Sequence, residues 1–353
     1  MKNWLAISSL LIIALTLTFC SSSQQSLSTE SSDQQPETEY SEYYTSAFPH
    51  RDISSQLKDA QQSVVRIVST GFYDNYSFSG KAITLADIKT NKPKDIATSR
   101  TSAEESTSGT AIILDQNINN SLLITCQHAV FFPDTMITYY EGPEIPDETY
   151  IESISIKKNQ TNLVYTSTEL QPFKVLATNK RFDLALLNVE FDQTGNLDLY
   201  PLSVKAGNSD FLQLGSLIYV LGFPKSYPMV TRGLASSSES WNDRFFVTDA
   251  SFNPGISGGL ILASNNNFKS FQWVGMASSS TATREQVLVP RPESDNYSRI
   301  TRPYSDSVFV QQKTRINYGI TQAIPINQVK EFLSAQQPLL ESKGFKRLST
   351  LQR

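Results

Sequence analysis

Three side chains, far apart in the sequence, carry groups that together can break an acyl bond. Ser257 lies in the stretch Asn253-Pro254-Gly255-Ile256-Ser257-Gly258-Gly259, which runs into the apolar Leu260-Ile261-Leu262. Glycines beside a serine let the backbone take positive φ and approach a bound molecule closely. Such a turn can aim the N–H groups of Gly255 and Ser257 at one point beside the hydroxyl, where an oxyanion develops during acyl transfer. A serine hydroxyl also needs a base. The chain has two histidines. His50 follows Pro49 at the end of a polar stretch and is expected to be solvated, which leaves His128, placed just after the apolar run Leu122-Leu123-Ile124-Thr125-Cys126. Asp183 stands at the mouth of a second apolar run, Leu184-Ala185-Leu186-Leu187. An unpaired carboxylate there is costly, and a histidine ring N–H would satisfy it. Each residue also has a plainer reading: a glycine-rich loop, a structural histidine at a strand end, a turn aspartate bonded to its own backbone. Cys126 reads as a buried small hydrophobe and not as a reactive thiol.

The elements that must position these groups read as strands. Across 353 residues, β-branched and aromatic residues are plentiful and turn residues recur at short intervals, which favours an all-β domain. Ser63 to Val68, Gly109 to Leu114, Leu122 to Cys126, Phe173 to Ala177, Leu217 to Leu221 and Gln272 to Ala277 are the clearest strands. A helix is expected near Asn327, with Ile326, Val329, Phe332 and Leu333 on one face and Pro338 limiting it. Two polar stretches, 73–108 and 278–317, read as long irregular insertions. The net charge of −4, without a lysine or arginine cluster, argues against a nucleic-acid partner. There is no metal-ligand cluster or phosphate-binding loop, so neither a metal nor another cofactor is expected.

Residues 1–20 read as an export signal: Lys2, an apolar run from Trp4 to Phe19, then Cys20 before Ser21-Ser22-Ser23. The run is short for a membrane span. The segment is similar to a bacterial lipoprotein signal, which implies lipidation of Cys20 and a membrane anchor, although Phe19 stands where that pattern has a small residue. A conventionally cleaved or uncleaved signal is the alternative. Residues 21–51, rich in Ser, Gln, Thr and Glu, read as a disordered tether.

Taken together, the chain resembles the trypsin-like serine proteases, most closely the bacterial HtrA/Deg branch, from about Ser63 to Leu333. The motifs that carry the resemblance are Leu123-Ile124-Thr125-x-x-His128-Ala129-Val130, Phe182-Asp183-Leu184-Ala185-Leu186-Leu187, Gly255-x-Ser257-Gly258-Gly259 and Gly319-x-x-x-Ala323-Ile324-Pro325. The order His, Asp, Ser is that of the chymotrypsin-like fold. The resemblance implies two Greek-key six-stranded β-barrels, about 60–195 and 205–325, within a protease domain at 52–340 that carries a C-terminal helix and is followed by a tail at 341–353. It implies His128 as base, Asp183 as its orienting partner, Ser257 as nucleophile and the Gly255 and Ser257 N–H groups as oxyanion donors. Protein or peptide substrates and a cell-envelope location follow from it. The family's pocket position, six residues before the nucleophile, holds Ser251, which implies small or medium apolar side chains on the acyl side of the cut. Ile256 stands where the family has Asn or Asp, so activation by pairing a freed N-terminus with an Asp is excluded, and PDZ-linked activation is not expected from the short tail. A catalytically inactive binding module acting through the two insertions, or an esterase on the same triad, are the competing functions.

Overall fold

The apolar runs Leu122-Leu123-Ile124 and Leu184 to Leu187 lack polar alternation because both faces of their strands are covered: they pair with each other in register, Leu123 opposite Leu187, and are fully buried. The computed structural model describes residues 41–140, 148–191, 198–237, 244–290 and 307–345. The expected signal, Cys20 and most of the tether lie outside those residues. Among the described residues no helix is long and apolar enough to cross a membrane.

The first sheet comprises β1 (Val64–Ser77), β2 (Ser99–Gln116), β3 (Asn120–Cys126), β4 (Thr135–Tyr139), β5 (Ile151–Tyr165), β6 (Leu170–Asn179) and β7 (Leu184–Glu190). Its order is β1-β2-β3-β7-β6-β5, and pairing of β1 with β5 closes the ring, with β4 appended to β5. The second comprises β8 (Lys205–Ala206), β9 (Leu217–Gly222), β10 (Met229–Ser237), β11 (Phe246–Thr248), β12 (Leu260–Ala263), β13 (Gln272–Pro290) and β14 (Val308–Pro325). Here the order is β12-β9-β10-β11-β14-β13, closed by β12 on β13, while β8 joins β13. Two closed six-stranded antiparallel barrels result, the all-β architecture expected. Closure pairs both sides of the ring strands and leaves β4 and β8 as the terminal strands.

One hydrophobic cluster runs through both barrels, from Ile112, Leu123 and Leu186 to Leu217, Trp273 and Phe332. The C-terminal helix α4 (Ile326–Ala335) contributes Ile326, Val329, Phe332 and Leu333 to it. Pro338 does not end the helical region but sits in the first turn of α5 (Gln337–Ser342), where its missing N–H costs nothing. The remaining helices are α1 (Ser54–Gln61), α2 (Leu85–Thr90) and α3 (Pro93–Ile96).

Three segments differ from the sequence-based expectation. Residues 73–108 are not an irregular loop: β1 and β2 stay paired as far as Ser77 opposite Ser99, and α2 and α3 fold over the end of this hairpin. A separate small cluster holds them, with Phe78 fully buried beside Tyr76, Ile151 and Ile154 and packed by Ile83, Ile88 and Ile96. Its apolar residues are gathered a few at a time from the end of β1, α2, α3, β4 and β5, so no single run announced it. The described parts of the second stretch are also largely regular, since β13 and β14 remain paired out to Pro290 opposite Val308; residues 291–306 lie outside the described residues. The end of the expected tether packs too: Tyr44 is buried, its hydroxyl donates to Gln272 Oε1 at 2.7 Å, and the Thr45 N–H donates to Ser264 O.

Because Phe78 belongs to its own cluster, Phe78→Ala is expected to loosen α2 and α3 without melting the barrels. Hydrogen exchange should show faster exchange over residues 84–98, while the β3 and β7 amides keep their protection. A uniform loss of protection would show that the hairpin end and the barrels are one cooperative unit.

Candidate active site

The β3–β7 pairing ends with Cys126 opposite Leu184, which brings the residues just beyond both strands side by side. On one side a 3-10 turn, Gln127–Ala129, carries His128. On the other, Asp183 takes φ 55°, a left-handed conformation that Asp tolerates better than most residues. The Gln127 N–H donates to Asp183 O at 3.0 Å. The carboxylate then grips His128 twice: Oδ1 accepts its backbone N–H at 2.9 Å and Oδ2 lies 2.7 Å from ring Nδ1. Asp183 therefore does not bond its own backbone. A carboxylate only accepts, so in neutral His128 the proton resides on Nδ1 and the Nε2 lone pair faces outward. Ser257 Oγ lies 3.0 Å from Nε2.

Burial pushes the Asp183 carboxyl upward, but hydrogen bonds from His128 and Ser278 and the charge of His128 outweigh it and hold the group below its ordinary value. It stays ionised beside the imidazole. Ser278, at a position that the sequence reading assigned only to the start of an insertion, is the fourth member of this group. Its Oγ donates to Asp183 Oδ2 at 3.0 Å, and its carbonyl oxygen lies 2.8 Å from Ser257 Oγ. The serine hydroxyl thus has one proton and two acceptors. Donated to Nε2, it is poised for transfer; donated to Ser278 O, it rests. The signal that could have found Ser278 is its place directly after the buried run Trp273 to Ala277.

The turn that presents Ser257 has the pattern of a type II turn. The Ile256 N–H donates to Asn253 O at 3.1 Å, Pro254 sits at the first central position, and Gly255 at the second has φ 101°. Any side chain at Gly255 would strike Phe223 O, 2.5 Å from the Cβ position. Pro254 O accepts from the Lys225 N–H at 2.8 Å. In a trans peptide the N–H opposes the C=O, so the Gly255 N–H points away from Lys225. Among the described residues neither it nor the Ser257 N–H donates to a protein acceptor. Gly258 has φ 89°, and a Cβ there would lie 2.0 Å from Thr110 O.

Thr110, which sequence reasoning passed over, joins the two halves. It is fully buried on β2 of the first barrel. Its N–H donates to Ser257 O at 2.8 Å, and its Oγ1 donates to Gly255 O at 2.7 Å while accepting the Phe223 N–H at 2.9 Å. Its own carbonyl accepts from Thr125 Oγ1 at 2.6 Å.

Ile256 is anchored by burial. It is 3% exposed in the core of the second barrel with Val220, Phe252 and Ile261, and its Cδ1 packs on Gly222. This turn is therefore supported from beneath by apolar contact. Ser251 is exposed and uncharged; the strand before it is braced by Thr321 Oγ1, whose one proton is shared between Thr248 O and Ala250 O. His50 is exposed, as expected. Donor atoms of Cys126, His128 and Asp183 lie within 4.8 Å of one another. The Cys126 thiol is buried and bonded to Ala277 O, and burial and the Asp183 charge push it well up, which disfavours the thiolate a soft metal requires.

Residues 109–269 match the family model of the trypsin-like peptidase domain, and the closed double barrels with an Asp-His-Ser chain at their junction agree with that match. A 93-residue stretch, 24% of the chain, is 37% identical to the "Probable periplasmic serine endoprotease DegP-like" of Pseudomonas fulva (strain 12-X), and it spans 18% of that relative's length. A solved serine endoprotease from Yersinia pestis aligns over 82% of this chain and 67% of its own, at 16% identity and a TM-score of 0.40.

The burial of Ile256 gives a direct test of the turn. Ile256→Val is expected to cost about 0.5–1.5 kcal/mol in urea denaturation, the loss of one buried methyl. Ile256→Asp places an uncompensated carboxylate in the apolar core and is expected to cost well beyond that. Equal stability of the two variants would show that the turn does not rely on this contact.

Proposed function

We propose that the protein is an exported serine endopeptidase that cleaves protein or peptide substrates through an acyl-enzyme intermediate. The reading is carried by the hydrogen-bonded chain from Asp183 through His128 to Ser257, at 2.7 and 3.0 Å. Ser257 Oγ attacks the scissile carbonyl carbon while His128 Nε2 takes its proton. Asp183 keeps the imidazole in the reactive tautomer and stabilises the imidazolium. The carbonyl oxygen becomes an oxyanion held by the N–H groups of Gly255 and Ser257, which have no competing acceptor among the described residues. His128 returns the proton to the leaving amine, water enters, and the same base activates it to release the acyl group and restore Ser257.

Export is supported by the signal-like residues 1–20 and by the periplasmic location in the DegP-like relative's name. Cys20 is the point of lipid attachment, which anchors the enzyme in the cell envelope. Ser251 supports cleavage after small or medium apolar side chains, since a carboxylate suited to Lys or Arg is missing there.

Hydrolysis of a peptide library by the purified protein tests this reading. Ser257→Ala is expected to abolish turnover and Asp183→Asn to lower kcat about ten-thousand-fold, because the amide favours the wrong tautomer. Cleavage should fall mainly after Ala, Val and similar side chains. Turnover that survives Ser257→Ala would remove Ser257 from the mechanism, and cleavage mainly after Arg or Lys would overturn the assignment of Ser251.

A further inference from the structure

A groove at the junction of the barrels shares no residue with the Asp-His-Ser chain. Its main hollow, of about 620 Å³, is large enough for a specific ligand. Val64, Tyr165, Phe223 and Pro228 form apolar walls. A second hollow of about 490 Å³ shares Gln61 and Gln62 with the first and reaches Leu57, Lys58 and Val230. The two hollows adjoin at Gln61 and Gln62. The segment alongside is unusually apolar for a surface, with Tyr227 68% and Met229 46% exposed.

The polar groups of the groove select the occupant further. The Arg66 guanidinium lies over the Tyr165 ring at 4.3 Å, bonds only Ser108 Oγ at a long 3.4 Å, and has no carboxylate partner among the described residues. Lys58 adds a second cation at the other end. The carboxylate present, Asp198, is already bonded by the hydroxyls of Ser167 and Tyr200. The groove therefore offers positive charge between apolar walls. A carboxylate answers Arg66, and apolar side chains fill the walls.

Its wall also adjoins the turn that carries Ser257. The turn that begins at Phe223 touches that turn directly through the Lys225 N–H on Pro254 O, and indirectly through the Phe223 N–H on Thr110 Oγ1, which itself donates to Gly255 O.

We propose that this groove is a second peptide-binding site, taking a segment with apolar side chains and a carboxylate, and that its occupant sets the reactivity of Ser257 through the Phe223–Tyr227 turn. The effect on reactivity rests on the peptidase reading; the binding does not.

The test uses the full chain with Ser257→Ala and a fluorescein-labelled Tyr-Glu-Phe-Tyr-Phe-Glu peptide, whose apolar side chains are larger than those expected at the cleavage site, read by fluorescence anisotropy. Saturable binding is expected, weakened at least tenfold by Arg66→Glu and clearly by Tyr200→Ala, an exposed position where folding is not at stake. A probe with Lys in place of Glu should bind the unaltered groove at least tenfold more weakly. Absence of saturable binding by the folded protein, or equal affinity after Arg66→Glu, would overturn the site. In the active chain, saturating peptide is expected to change kcat for p-nitrophenyl acetate at least threefold with KM unchanged. Hydrolysis that is unaffected by the bound peptide would overturn the coupling, and binding without any hydrolysis would count against the peptidase reading while leaving the site in place.

Discussion

Thr110 ties the two barrels together where the chemistry is assembled. Its N–H, hydroxyl and carbonyl are all engaged, the first two with the turn at Ser257 and with Phe223 of the second barrel, the last with Thr125 of the first. Asp183 and His128 stand at strand ends of one barrel, while Ser257 and Ser278 belong to the other. Their 3 Å contacts thus depend on the seam between independently closed sheets. A hydrogen-bond lattice with no exposed member is well suited to fixing such a seam, because every bond lost leaves a buried group unsatisfied.

Around that seam the site combines rigid placement with ordinary electrostatics. Asp183 is held ionised by His128 and Ser278 despite its burial, so the imidazole is oriented before any substrate arrives. The turn that carries Ser257 is fixed on its outer side by the Lys225 N–H and on its inner side by Thr110. Ile256 locks it from beneath by packing into the second barrel. In the proposed reaction, donors aimed in advance at the developing charge would need no reorganisation, which is where such sites gain most. Apolar anchoring also makes the turn independent of a titrating partner at that position.

Much of this was legible in the sequence for a physical reason. Fully buried strands write themselves as continuous apolar runs, and the polar residues that interrupt or end them, His128, Asp183 and Ser257, stand out against that background. Glycines 255 and 258 were legible because no other residue fits the space and the positive φ at those points. What escaped notice was long-range. Thr110 and Thr125 look like ordinary strand threonines until the second barrel is laid against them. Ser278 was hidden because a serine after a strand has many uses, and only the fold shows Asp183 beside it. The hairpin at 73–108 escaped because its small core is gathered a few residues at a time from elements far apart in the sequence, and Tyr44 because one aromatic in a polar stretch carries no pattern.

The measurement that reaches the centre of this account is the rate at which a fluorophosphonate labels Ser257, followed by intact-mass spectrometry in the unaltered chain and in Thr110→Val, with Ser257→Ala as the blank. A seam-built nucleophile should take up one label in the unaltered chain, none in the blank, and label at least tenfold more slowly in a folded Thr110→Val variant. A folded chain that takes up no label, or a Thr110→Val variant that labels at the unaltered rate, would contradict it.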